Sequence, residues 1–361
     1  MPSPIRDELV QLTCDLVAIP STAERPEALA EVIGYVERYV RAIPGVHIQR
    51  YESDRKPCLV VTLRETRAPK IFLNAHLDVV PARPEQYRPE VRGERIYGRG
   101  SQDMKGAAAV MMRLLKDLAA LPDPPDVGFQ FVSDEEIGGV HGTGHIAEQG
   151  WSCEFFLVGE PTNLEICYAH KGVVRFDVTV LGQPAHGSRP WEGVNAIAGL
   201  RDGLAALERR FPTPDGPAWV TTVVPTLVRG GEAANRLPET VTLTLDIRHI
   251  PEDTPEALAA AVAECFPGAR VERSGGSGTL LNTDPQHPEV QRLARCIETV
   301  TEAPAGFYRE HFATDARFYG DRGIPSVCVG PVGAGLHSDE EWVDINSLEQ
   351  LYTIYRRFIG A

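Results

Sequence analysis

Apolar residues recur along the first half of the chain in two alternating rhythms. DELVQLTCDLVAI (residues 7–19) and EALAEVIGYVERYVRAI (27–43) space them three and four apart, the mark of an amphipathic helix. CLVVTL (58–63), KIFLNAHLDVV (70–80), VGFQFVSDE (127–135) and CEFFLVGE (153–160) are short, nearly continuous runs that read as buried strands. MKGAAAVMMRLLKDLAAL (104–121) is helical again and begins directly after Asp103. Helices alternating with such strands predict an α/β layer on a mostly parallel sheet.

The rhythm changes near Gly172. VVRFDVTVLG (173–182) alternates apolar with polar, VNAIAGLRDGLAALERRF (194–211) is an amphipathic helix, and TTVVPTLVRGG (221–231) and VTLTLDIRHI (241–250) alternate again. The helix TPEALAAAVAECF (254–266) and the strand ARVERSG (269–275) complete a βαββαβ order, which is ferredoxin-like α+β. The α/β character then resumes with HPEVQRLARCIETV, IPSVCVGP and SLEQLYTIYRRFI. The pattern therefore predicts a larger domain, residues 1–172 and 283–361, interrupted by a smaller one at 173–282. The glycine- and proline-containing edges HKG and GGSGTLLNTDPQ suit hinges.

Composition narrows the function classes. The 361 residues carry 36 Lys+Arg against 50 Asp+Glu, a formal charge of −14, which argues against binding to a phosphate backbone or an anionic membrane. The start, MPSPIRDELVQLTCDLVAIPS, lacks the basic-then-apolar layout of a signal peptide, and no run approaches the ~20 apolar residues of a membrane span. The seven cysteines are scattered without a C-x-x-C pair and read as reduced, mostly buried thiols of a cytoplasmic protein.

Histidines and carboxylates gather where the apolar strands end. His76 and Asp78 stand two apart and would point the same way from one strand. Asp103 lies in the glycine-rich GRGSQDMKG, Glu135 and Glu136 of SDEEIGG end an apolar run, Glu160 ends the apolar strand within FLVGEPT, and His337 lies in GPVGAGLHSDEE. Each alone reads as a cap or a solvated edge; an aspartate before a helix is more often a cap. Together they converge on the strand edge where open α/β sheets bind ligands. So many like charges repel unless cations separate them, and a nitrogen-and-oxygen donor set without cysteine suits a catalytic zinc-type ion. As strand neighbours, Glu135 and Glu136 would face opposite ways, one toward a metal and one toward its bound water. His141 and His145 have a helical metal spacing, but the glycines around them argue for ordinary surface histidines.

The motifs HLDVVP, GRGSQDMKG, SDEEIGG, GEPT, AHGS and GLHSDE, in this order, resemble those of the dinuclear zinc peptidase and deacylase family that includes acetylornithine deacetylase, succinyl-diaminopimelate desuccinylase, carboxypeptidase G and aminoacylase. The resemblance spans essentially the whole chain. It implies a zinc-exopeptidase-like sheet with an inserted dimerisation or lid domain. It implies two Zn2+ per subunit, with Co2+ able to substitute. His76 and Glu160 would hold one ion, Glu136 and His337 the other, with Asp103 bridging. Asp78 would support His76 and set its tautomer, and Glu135 would be the general base and then acid. A cis peptide would follow Asp103. His186 of PAHGS, which alone reads as a surface residue, would stabilise the oxyanion in the other subunit of a homodimer. Asn235, Arg248 and Thr314 match substrate-contacting positions, Arg248 as a carboxylate clamp whose bland reading is a surface ion pair; Lys171 and Gly172 match the domain junction.

The implied reaction is hydrolysis of an N-acyl amino acid to a carboxylate and a free amino acid, as in arginine or lysine biosynthesis. The dipeptidases and carboxypeptidases of the same family are the alternative; the insertions of the longer dipeptidases are missing here. Related N-carbamoyl hydrolases tend to carry histidine where Glu160 stands. A metal-free binding protein on this fold is a further alternative, and the complete ligand set weighs against it.

Overall fold

The computed structural model describes residues 4–276 and 278–360. By packing, the chain divides into two compact units: residues 1–169, 281–309 and 314–361, and residues 170–280 with 310–313.

The first unit is an α/β layer. Its sheet centres on four parallel strands, in spatial order Val127–Val132, Ile71–His76, Phe155–Val158 and Ser326–Cys328. Lys56–Thr62 and His47–Ser53 extend it antiparallel beyond Val127–Val132. Every residue of the strands Ile71–His76, Val127–Val132 and Phe155–Val158 is buried, which is why their sequences run apolar without alternation. The helix Gly106–Ala119 packs on Pro4–Val17, Pro26–Arg41 and Ile345–Ile359, and its alanine-rich first turn is wholly buried. The expected α/β fold with its mostly parallel sheet is thus observed, with two adjustments near the site. The strand expected at 70–80 stops at His76, so Asp78 lies beyond it. A distorted turn, Ser101–Lys105, precedes the helix that the pattern starts directly after Asp103, and the Asp103–Met104 peptide is cis as the resemblance implied.

The second unit has the order strand Gly172–Leu181, helix Ala196–Arg210, strands Thr222–Gly230 and Thr240–His249, helix Pro255–Cys265 and strand Arg270–Arg273. Its sheet is antiparallel, with Thr240–His249 and Gly172–Leu181 central and Thr222–Gly230 at one edge. Burial alternates along Thr240–His249, as the polar alternation predicts for a sheet with one covered face. Among the described residues, no helix is long and apolar enough to cross a membrane.

One polar chain crosses the apolar interior of the first unit. Asn74 faces Gln130 in the parallel register, and its Nδ2 donates to Gln130 Oε1 at 3.2 Å and to Thr143 Oγ1 at 2.8 Å. Gln130 Nε2 donates to the Tyr319 hydroxyl at 2.6 Å, and Thr143 Oγ1 donates to Asp315 Oδ2 at 2.6 Å. Tyr319 is fully buried, stacked on Phe156 with ring centroids 4.0 Å apart. Tyr319→Phe leaves the Gln130 amide without its acceptor and should lower stability by about 1–3 kcal/mol, read from denaturant unfolding of wild type and variant.

Candidate metal centre

The ends of several elements of the first unit bring one acidic cluster together. His76 is the last residue of its strand, and its neighbour strand ends at Val132 just before the turn Glu135–Ile137. Asp103 lies in the Ser101–Lys105 turn, Glu160 follows the strand Phe155–Val158, and His337 lies in the loop before Trp342–Asp344. His337 has φ 57°, a left-handed conformation uncommon for a residue with a Cβ.

The Asp103 carboxylate faces both ways. Its Oδ1 is 3.0 Å from His76 Nε2, and its Oδ2 is 3.4 Å from His337 Nε2. Glu160 Oε2 is 3.9 Å from His76 Nε2, and Glu136 Oε2 is 3.3 Å from His337 Nε2. The donor atoms of His76, Asp103 and Glu136 converge within metal-binding range, as do those of His76, Glu135 and Glu160. Burial would raise Asp103, but the hydrogen bonds and charges of His337 and His76 hold it well below the usual carboxylate range. The bonds that His337 donates to the Asp103 and Glu136 carboxylates raise its pKa to about 10. Glu135 and Glu160 are pushed well up, first by burial and then by neighbouring carboxylates. Glu160 Oε1 is buried without a hydrogen-bond partner among the described residues. Two imidazoles, crowded carboxylates and an orphaned carboxylate oxygen fit divalent cations between them.

Asp78 touches both His76 and the turn that bears the two glutamates. His76 Nδ1 is 3.0 Å from the Asp78 backbone carbonyl, whereas the nearer carboxylate oxygen is 3.6 Å away. The carboxylate instead accepts from the Glu135 amide at 3.2 Å and the Glu136 amide at 3.0 Å. The cause is the early end of the strand: with Asp78 past it, the shared direction of residues i and i+2 lapses. The backbone carbonyl orients His76, and the side chain caps the turn bearing both glutamates. Burial raises the fully enclosed Asp78 carboxyl to about 6, with the charge of His76 opposing it. Glu135 and Glu136 accordingly sit in a 3-10 turn, not side by side on a strand.

Several supporting residues were not singled out in sequence, although Arg99, Asp134 and Glu341 lie inside the quoted motifs. Glu341, 1% exposed, accepts from the Gln102 and Asp103 amides at 3.1 and 3.2 Å, and Arg99 Nη1 donates to it at 2.5 Å. Arg99 Nη2 also donates to the Ser338 carbonyl at 3.1 Å, so one buried ion pair ties the Asp103 turn to the His337 loop. Arg317 Nη2 donates to the Gly138 carbonyl at 2.6 Å, Asp134 accepts from the His141 amide at 2.7 Å, and Asp315 holds Thr143. Buried charges with partners distant in sequence are the available signal, and a single sequence does not pair them.

The remaining candidates lie elsewhere. Thr314 is in the first unit but turned inward, its hydroxyl 3.4 Å from Cys328 Sγ. His141 sits 2.9 Å from Ser53 Oγ, and His145 meets the Tyr51 ring edge-on, ordinary surroundings for both. His186, Asn235 and Arg248 belong to the second unit. His186 and Asn235 are adjacent there: the Gly187 amide donates to the Asn235 carbonyl at 2.7 Å. Arg248 Nε donates to Asp246 at 2.7 Å.

A strand-end cluster of two histidines and bridging carboxylates on an α/β sheet is the layout of a metal-dependent hydrolase. Residues 72–361 match the model of peptidase family M20/M25/M40, and the chain belongs to that family of hydrolases acting on amide bonds. It is 28% identical over 370 residues, covering 99% of both chains, to a putative succinyl-diaminopimelate desuccinylase of Mycobacterium tuberculosis. It is 29% identical over 343 residues, covering 88% of this chain and 77% of the other, to a probable carboxypeptidase of Aspergillus terreus. Among solved structures, an aminopeptidase of Bacillus cereus superposes with TM-score 0.80 over 98% of both chains at 18% identity, which speaks for the fold alone.

Arg99→Met leaves Glu341 buried and unpaired, so it should destabilise the metal-free protein by about 3–5 kcal/mol. The Arg99→Met, Glu341→Gln double variant should recover part of that loss. Chemical denaturation of the three proteins checks both statements.

Proposed function

We propose that the chain is a dinuclear zinc amidohydrolase that removes the acyl group of an N-acyl amino acid, in the manner of succinyl-diaminopimelate desuccinylase or acetylornithine deacetylase. The observation that carries this reading is the Asp103 carboxylate, with one oxygen toward His76 and the other toward His337. On this reading His76 and Glu160 complete one ion's ligands and Glu136 and His337 the other's. Zinc in this setting, for which Co2+ can stand in, acidifies water and polarises a carbonyl. Glu135, held through its amide by Asp78, takes the proton of the attacking water and delivers it to the leaving amine.

His186 supplies the oxyanion donor in a partner subunit. The Ser188 amide lies 3.2 Å from His186 Nδ1 and donates to it, which leaves the proton of a neutral ring on Nε2, the exposed donor. The strand Thr222–Gly230 lies at the edge of its sheet and exposes Val224, Leu227 and Val228, and this supports a homodimer through the second unit. Asn235, Arg248 and the Thr314 loop contact the substrate. The full-length similarity to desuccinylase relatives favours a role in lysine biosynthesis and a cytoplasmic setting; the Aspergillus terreus relative keeps carboxypeptidase activity as the second reading.

Turnover should be measured on N-succinyl-diaminopimelate, N-acetyl-ornithine, N-acetyl-lysine, N-acetyl-citrulline and simple dipeptides. Chelation should abolish activity and added zinc restore it. Glu135→Gln should lose at least about a thousandfold in kcat while retaining bound metal; near-normal turnover in that variant sinks the base assignment. Mixing His186→Ala with Glu135→Gln subunits should restore activity through hybrid dimers, and no recovery despite demonstrated subunit exchange rules out the shared site.

A further inference from the structure

The loop after the two glutamates begins with Gly138 and Gly139, both in the left-handed region at φ 114° and 63°. Two successive glycines have little preference of their own for one backbone path, so hydrogen bonds decide it. The Glu135 carbonyl accepts from the Gly138 amide at 2.8 Å, and the Asp134 carbonyl accepts from the Gly139 amide at 2.8 Å. The Gly138 carbonyl, at the other end of the Gly138–Gly139 peptide, accepts from Arg317 Nη2 at 2.6 Å. That peptide is pinned at both ends, so its plane is fixed. Asp78 meanwhile accepts from the Glu135 and Glu136 amides. The turn is thus held by an anion at its amide end and by a cation at its carbonyl end, both through charge-assisted bonds.

Arg317 reaches further than this one carbonyl. It is buried, and its second arm, Nη1, donates to the Thr314 carbonyl at 3.3 Å. Its guanidinium carbon lies 4.5 Å from the Phe318 ring centroid. Phe318 covers the same loop: a Cβ on Gly139 would lie 2.8 Å from its ring, and one on Gly144 would lie 2.9 Å from it. A buried guanidinium on two neutral carbonyls needs an opposite charge nearby, and the fully buried Asp315 supplies it. Asp315 in turn accepts from Thr143 Oγ1 at 2.6 Å, so the segment from Thr314 to Phe318 grips the glycine loop at several points.

We infer that Arg317 is a positioning residue for the general base. Its two arms join the Gly138–Gly139 peptide to the Thr314 carbonyl and so fix where the turn presents Glu135. Thr314 is where the chain passes from the second unit back into the first, and one side chain ties the base turn to that point. The consequence for turnover rests on the amidohydrolase reading; the clasp itself does not.

The test compares zinc-loaded wild type with Arg317→Lys and Arg317→Met. Lysine keeps the charge but does not reproduce the two-armed fork. Arg317→Lys should keep the zinc content of wild type and a KM within about twofold, while kcat falls about tenfold or more. Arg317→Met should lose more. Amide hydrogen exchange should quicken in both variants over residues 134–144 and keep its wild-type rate in the strands of the second unit. An arginine that served only as a stabilising charge would be replaced by lysine without change in kcat or in exchange, and that result overturns the inference. A rise in KM at constant kcat, which places Arg317 on the substrate, overturns it too, as does a fall in kcat matched by lost zinc. Should Arg317→Met not fold, Arg317→Lys decides alone. Faster exchange over residues 134–144 in a protein that hydrolyses none of the substrates upholds the clasp and overturns the amidohydrolase reading instead.

Discussion

Everything around the candidate centre follows from one electrostatic constraint: a single carboxylate, Asp103, is shared by two imidazoles from opposite sides. With Glu135, Glu136 and Glu160 crowded close by, that geometry is stable only when positive charge lies among the acids. A cluster of this kind tolerates little displacement, because repulsion and desolvation both rise steeply once an anion leaves its counter-charge. The rest of the first unit acts as a frame that prevents such displacement.

The frame works through backbone amides more than through side-chain pairs. Asp78 caps the turn that carries Glu135 and Glu136, and Glu341 caps the turn that carries Asp103. Each cap is a buried carboxylate spanning two successive amides, which fixes the orientation of a peptide segment and not merely one side chain. Glu341 in turn pairs with Arg99, whose second contact is the carbonyl of Ser338, next to His337. The bridging aspartate and a histidine more than two hundred residues away in sequence are therefore positioned by one ion pair.

Much of this architecture was legible in the residues themselves. The unbroken apolar strands announced a covered sheet, the switch to alternation near Gly172 announced a different unit, and His and carboxylates at strand ends announced a metal centre. What escaped was short-range geometry. Whether a strand ends at His76 or at Val80 depends on its neighbour strand ending at Val132, a tertiary fact, and that decided what the Asp78 side chain could reach. The supports Glu341, Arg99, Asp315 and Arg317 are ordinary charged residues until the fold buries them beside their partners.

The loop after the two glutamates is rich in glycine, a composition usually associated with looseness. Here it has the opposite origin. A Cβ on Gly139 would lie 2.0 Å from Asp315 Oδ1, and one on Gly142 would lie 2.2 Å from Asp134 Oδ1. Gly139 also has φ 63°, where a side chain would strain the backbone. The hydrogen atoms of these glycines are the only substituents that leave space for two buried carboxylates. Substitution is therefore restricted in a stretch that composition alone would mark as permissive, and in a search for variants these positions should behave like core residues.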